Sequence, residues 1–187
     1  MSRPAVFLDR DGVLIENQPE YVKSWSQVEF LPGSIRAIRE LNTSCYAIVM
    51  VTNQSAVGRG IISFEQAMRI NQQVIDEVAA GGGKIDATYM CPHNPGEGCR
   101  CRKPEPGMLL QAEAELDLDL PRSYMVGDAI SDVAAGRSAG VASILVRTGR
   151  GNEQVRSAPP DLRTTLLIVA DLPAAVRHIL VQEGNRA

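Results

Sequence analysis

The chain has 187 residues, which at roughly 100 to 200 residues per domain predicts a single domain over residues 1–187. Hydrophobic residues make up 44% and charged residues 22%, enough apolar side chains for a core and too little net charge for a disordered chain. Nineteen basic against twenty-two acidic residues leave a net charge of −3, which excludes the positive excess that nucleic acid or anionic lipid would attract. The apolar run at residues 47–51 is far short of the roughly 18 residues a membrane span takes. With no secretory pattern before Asp9, a cytoplasmic protein is expected.

In chain order, short apolar runs alternate with longer amphipathic stretches. Residues 5–8 read as a strand, residues 34–41 as a helix with Ile35, Ile38 and Leu41 on one face, and residues 46–51 as a second strand. Ser63 with Gln66 predicts a capping box opening a helix to residue 79, with Ala67, Ile70, Val74 and Val78 facing inward. Next come a strand at 85–90, a helix at 108–116, a strand at 123–126, a helix at 131–138 and strands at 142–146 and 166–169. A helix at 173–181 ends the series. Residues 149–160 are polar enough to predict a mobile loop, and residues 16–30, a long connection without periodicity, are expected to fold over the site. Cys45 is expected as a small buried apolar residue. Alternating strands and helices, with nearly all-apolar strands, predict a doubly wound α/β fold: a mostly parallel sheet with helices on both faces.

Ligands in such sheets sit beyond the carboxyl ends of the strands. There the sequence places Asp9-Arg10-Asp11-Gly12, Thr52-Asn53-Gln54-Ser55, and Gly127-Asp128 with Asp132. Carboxylates from two strand ends and a hydroxyl suit a hard cation such as magnesium, which takes oxygen ligands and keeps waters that a phosphate displaces. Lys103 is placed to supply compensating positive charge. Taken alone, residues 9–12 also read as an Asp-Gly turn, and Asp128 and Asp132 as acids at a helix N-terminus.

A second cluster, Cys91-x-His93-x5-Cys99-x-Cys101, puts three thiols and an imidazole into a loop rich in proline and glycine. Four such ligands suit tetrahedral zinc, and leave no open position for a catalytic water, so the metal is expected to be structural. A zinc-binding loop over residues 91–104 would hold Arg102 and Lys103 toward the phosphate site.

With strand context, Asp9-x-Asp11-Gly12-Val13, Val51-Thr52-Asn53, Arg102-Lys103-Pro104 and Gly127-Asp128-x-x-x-Asp132 resemble the four ordered motifs of the haloacid dehalogenase-like phosphatases. The resemblance implies Asp9 as nucleophile, Asp11 as general acid and base, and Thr52 and Lys103 as ligands of the transferring phosphoryl group. It implies magnesium held by Asp9, the Asp11 carbonyl and Asp128, with Asp132 behind them. It also implies a Rossmann-like fold, and the absence of a large cap insertion between the motifs predicts an open site and a monomer.

Within that superfamily the zinc loop followed by Arg102-Lys103-Pro104 resembles two groups, the heptose bisphosphate phosphatases and the histidinol-phosphate phosphatases. The five residues between His93 and Cys99 are familiar from the second group. Glu20-Tyr21-Val22, the run from Thr52 to Gly60, and Lys103-Pro104-x-Pro106-Gly107-Met108-Leu109 resemble the first, which is favoured. That resemblance implies a small phosphorylated sugar as substrate, contacted by Asn17, Gln18, Pro19, Glu20, Asn53, Gln54, Ser55 and Arg102. Two residues depart from the pattern: Ala56 where glycine is common, and Ala129 where the heptose enzymes often carry lysine. A reading from another class is a zinc-stabilised binding module with a vestigial site. No third glycine follows Gly58-x-Gly60, and no phosphate-binding G-x-x-x-x-G-K-[ST] run occurs.

Overall fold

Ala5–Leu8, four apolar residues with no solvent exposure, form β1 at the centre of the sheet. The computed structural model describes residues 2–184; residue 1 and residues 185–187 of the expected domain lie outside the described residues. After β1 come α1 (Ser34–Leu41), β2 (Ala47–Asn53), α2 (Ser55–Gly58), α3 (Phe64–Ala80), β3 (Ala87–Cys91), α4 (Gly107–Leu116) and β4 (Tyr124–Gly127). The chain continues through α5 (Ile130–Ser138), β5 (Ala142–Val146), α6 (Gly151–Ser157), α7 (Pro160–Thr165), β6 (Leu167–Val169) and α8 (Leu172–Gly184). All six strands pair in parallel, in the order β3-β2-β1-β4-β5-β6.

Because side chains alternate across a strand, the central strands β1, β2 and β4 each feed two cores. Val6, Leu8, Ile48, Met50, Tyr124, Val126, Ile144 and Val146 pack with Ile38 of α1, Ile70 and Val74 of α3, and Val176 and Ile179 of α8. Ala5, Phe7, Val49, Val51 and Met125 pack on the opposite face with Met108, Leu109 and Ala112 of α4. Fully burying such a side chain stabilises the fold by roughly 1.5–3 kcal/mol. Two apolar faces account for near-continuous hydrophobic strands, as the sequence predicts.

The strand order reverses at β1, whose neighbours are β2 and β4. Leu8 is in register with both Met50 and Val126, so Asp9, Thr52 and Asp128 stand within a residue or so of the same level at the carboxyl end of the sheet. Such a switch point opens a crevice outside the carboxyl ends of the strands.

Four sequence expectations change in detail. β2 runs two residues further, through Asn53, because β3 pairs with it as far as Asn53–Cys91. Ser63 does cap α3, its Oγ accepting from the Gln66 N–H at 3.1 Å, but the Gln66 side chain reaches Lys23 O and Arg69 instead of closing a box. Cys45 is exposed, because it precedes the first buried residue of the Tyr46–Ala47 run and its N–H meets Glu183. Residues 149–160 are not a free loop: α6 forms there, tied to α5 by the Ile130 N–H, which donates to Gln154 Oε1 at 3.1 Å.

Candidate active site

Asp9 follows β1 directly and stays buried, its N–H donating to Val126 O in β4 at 3.0 Å. Gly12, at φ +81°, turns the chain in a left-handed conformation, and a Cβ there would strike Asp128 Oδ2. The turn brings Asp11 back over the site. Arg10, only 1% exposed, grips Asp11 with Nε and Nη2 (3.2 and 3.1 Å) and donates Nη1 to Asn71 Oδ1 at 2.7 Å. Gln54 Nε2 donates both to Asp11 Oδ2 at 2.9 Å and to Thr52 Oγ1 at 2.8 Å. The Thr52 hydroxyl, an acceptor toward Gln54, keeps its own proton to donate.

Lys103 is equally buried, and its Nζ meets Asp9 Oδ1 at 3.0 Å, Asp132 Oδ1 at 2.8 Å and Val51 O at 2.9 Å. Burial opposes the Lys103 charge, but the carboxylates of Asp132 and Asp9 outweigh it and hold the ammonium above its ordinary range. Asn53 clasps the lysine's backbone: its Nδ2 donates to Lys103 O at 3.0 Å and its Oδ1 accepts from Lys103 N–H at 3.1 Å. For Asp9, burial outweighs Lys103 and, with Asp132, Asp128 and Asp11 nearby, pushes the carboxyl up to about 7.

Asp128, with no exposure, is pushed up by burial against the pull of Arg150. Arg150 pairs with it at 3.1 Å. Asp132 Oδ2 accepts from the Ala129 N–H at 3.0 Å, so this acid both caps α5 and holds Lys103. Oxygens of Asp9, Asp128 and Asp132 all lie within 4.8 Å of one another. Lys103 and Arg150 offset part of this clustered negative charge, and the all-oxygen set suits magnesium.

Asp9, Asp11, Lys103 and Asp132 floor a cavity of about 690 Å³. Asn17, Gln18 and Pro19 wall it, as expected from the long connection after β1, together with Asn53, Gln54, Ser55 and Arg102. That connection is pinned by the Glu16 N–H to Glu29 O (2.8 Å) and the Leu31 N–H to Leu14 O (3.0 Å). Thr52 and Asp128 lie beneath the lining. Glu20 does not line the cavity; its side chain is 87% exposed and pairs with Lys23. Sequence reasoning missed Arg10 and Asn71, which brace Asp11, and Arg150, which closes Asp128. The dipeptide Asp9-Arg10 carried the only available signal for the first, a charge where the chain leaves a buried strand.

Beyond the rim, Cys91 at the end of β3 gathers His93, Cys99 and Cys101. Its Sγ lies 3.5 Å from His93 Nδ1, 3.7 Å from Cys99 Sγ and 3.1 Å from Cys101 Sγ. His93 Nδ1 and Cys101 Sγ are 3.3 Å apart, and Cys99 and Cys101 Sγ 3.6 Å. A tetrahedron of 2.3 Å zinc–sulfur bonds has edges of about 3.8 Å, so these four donors fit a closed zinc site. Burial pushes the Cys91 thiol up to about 12, a cost that a coordinated cation would reverse. The loop then delivers Arg102, whose Nη1 donates to His93 O at 3.1 Å, and Lys103, which precedes a cis Pro104.

A carboxylate facing a buried lysine, beside an acid and a free hydroxyl, at the switch point of a parallel sheet, defines a phosphoryl-transfer hydrolase of the haloacid dehalogenase type. The HAD-hydrolase-like family profile matches residues 100–175. A D-glycero-beta-D-manno-heptose-1,7-bisphosphate 7-phosphatase of Yersinia pestis is 41% identical over 184 residues, covering 94% of this chain and 96% of its own. Its Pseudomonas aeruginosa counterpart is 37% identical, covering 97% and 100%. The crystal structure of D,D-heptose 1,7-bisphosphate phosphatase from B. bronchiseptica, complexed with magnesium and phosphate, has a TM-score of 0.87 at 36% identity, over 96% of this chain and 99% of that one. The chain belongs to the family of these heptose bisphosphate phosphatases, among the HAD-like hydrolases.

Proposed function

We propose that this chain removes the 7-phosphate of D-glycero-β-D-manno-heptose 1,7-bisphosphate by way of an aspartyl-phosphate. The observation that carries the reading is the Asp9–Lys103 pair on the cavity floor, in a chain that matches enzymes of that name along nearly their whole length. An Asp9 carboxylate oxygen attacks phosphorus, the bond from phosphorus to the C7 oxygen breaks, and Asp11 gives its proton to the departing alkoxide. Asp11 then takes a proton from water, whose oxygen attacks phosphorus and releases inorganic phosphate and free Asp9. Lys103 and the Thr52 hydroxyl hold the phosphoryl oxygens on which charge accumulates.

Asp9, Asp128 and the Asp11 carbonyl would hold magnesium, with Asp132 behind them. The cation supplies neutralisation of phosphate charge that a site of several carboxylates would otherwise repel. Cys91, His93, Cys99 and Cys101 would hold structural zinc, fixing the loop that carries Arg102 and Lys103. Arg102 reads the sugar or its remaining phosphate, while Asn17, Gln18, Pro19 and Ser55 contact the sugar. Gln54 and Asn53, whose side chains already hold Asp11, Thr52 and Lys103, act by positioning. Glu20 is left out of the set.

Phosphate release from the β-anomer of the bisphosphate, its α-anomer and L-histidinol phosphate, under identical magnesium, tests the reading. The β-bisphosphate should have the highest kcat/KM. Faster turnover of histidinol phosphate would replace the substrate assignment, and no magnesium-dependent turnover of any of the three would refute it.

A further inference from the structure

Among the described residues, the hydrogen bonds to the Asp128 carboxylate come from Arg150 alone. The Arg150 main-chain N–H donates to Oδ2 at 2.8 Å, Nε to Oδ2 at 3.4 Å, and Nη2 to Oδ1 at 3.1 Å. The main-chain bond is fixed. Thr148 Oγ1 donates to Gly12 O at 2.6 Å, Gly149 sits at φ +53° with no room for a Cβ beside Asp128 and Gly12, and Gln154 holds the Ile130 N–H. The guanidinium is not fixed: the side chain is 52% exposed and lines the cavity with Asp9 and Lys103. Oδ1, the oxygen it covers, has no main-chain donor.

Charge points the same way. Four carboxylates, of Asp9, Asp11, Asp128 and Asp132, meet three cations, of Arg10, Lys103 and Arg150. The Arg10 and Lys103 side chains are each 1% exposed and locked among several partners, so Arg150 is the cation free to turn. A divalent cation among these acids repels a guanidinium beside it, and a dianionic phosphate over Asp9 offers the fork geometry that arginine fits best.

We propose that Arg150 is a carboxylate-to-phosphate switch. In the cation-free protein its guanidinium covers Asp128 Oδ1; on cation binding it surrenders that oxygen and turns by side-chain torsions to hold the phosphoryl group over Asp9. The inference rests on the phosphatase reading. It makes cation and phosphate binding mutually reinforcing, since each draws the guanidinium in the same direction.

Manganese and inorganic phosphate serve as probes. Free Mn²⁺ is followed by electron paramagnetic resonance, and phosphate binding to the Mn²⁺-saturated protein by calorimetry. Arg150→Ala, freed of the competing guanidinium, should bind Mn²⁺ alone about 3- to 10-fold more tightly. Its Mn²⁺-loaded form should bind phosphate about tenfold or more weakly, and the tightening of Mn²⁺ by phosphate should shrink. Arg150→Gln, which keeps a donor without the charge, should show the same split if the alanine variant proves poorly folded. Weaker Mn²⁺ binding in the variant, or phosphate binding equal to the parent's, would overturn the switch and leave Arg150 as a brace for Asp128. A parent protein that binds neither Mn²⁺ nor phosphate would refute the phosphatase reading instead.

Discussion

At the scale of single residues, the site is a set of buried acids held near one another by a few cations. Asp9→Asn keeps the shape and removes the nucleophile, so turnover should fall on the order of 10⁴-fold or more with the fold retained. The same variant has a second signature. In the cation-free protein burial raises Asp9 from the ordinary carboxylate range to about 7, so over that window the folded state holds a proton that the unfolded chain has released. Stability therefore falls as pH rises across it, and Asn carries no such cost. In chelator, the Tm of Asp9→Asn should gain on the parent by a few degrees between about pH 5 and about pH 8, and added magnesium should shrink the gain. A pH-independent Tm difference would be the contrary result. Asp9 and Asp11 are legible in sequence because a carboxylate directly after an all-apolar strand is an unusual placement. Arg10 is not, since its burial depends on Asn71, 61 positions away, meeting its guanidinium.

At the scale of elements, the end of β2 organises the site. Thr52 and Asn53 still belong to the strand because β3 pairs with them, and that pairing aims the Asn53 amide at the Lys103 backbone. Polar residues there read naturally as loop, so their place in the strand was hidden: register between distant strands decides it, and no local pattern records register. The cysteine cluster was open to reading because its signal is chemical identity at short spacing. Residues 149–160 misled because α6 has a polar sequence whose anchors, Gln154 to Ile130 and Arg150 to Asp128, are tertiary. Asn53→Ala should destabilise the fold by about 1–2 kcal/mol, as two buried backbone groups lose their partner. It should also lower kcat about tenfold while moving KM less, because a displaced lysine costs most where charge accumulates. Denaturant unfolding and initial rates check the two effects separately, and an unchanged kcat would show that Lys103 needs no clasp.

At the scale of the whole molecule, the cysteine cluster and the reaction centre stand on one continuous segment: Cys101, Arg102 and Lys103 are consecutive, and Cys91 is paired in register with the residue that clasps the lysine. The proposed zinc would fix both ends of that segment without touching substrate. Cys99→Ser should therefore weaken zinc binding and reduce kcat through misplaced groups, whereas Lys103→Ala should lower kcat directly, by about 10²-fold or more. Measured singly, these losses say little about mechanism. Combined in a double-mutant cycle, they should add to less than their sum, because a loosened loop can misplace a lysine only if the lysine is present. Zinc content, by elemental analysis of each variant, ties the coupling to the metal. Fully additive losses, or a zinc-free Cys99→Ser protein with the parent's kcat, would separate the two sites and leave the cluster holding only its own loop.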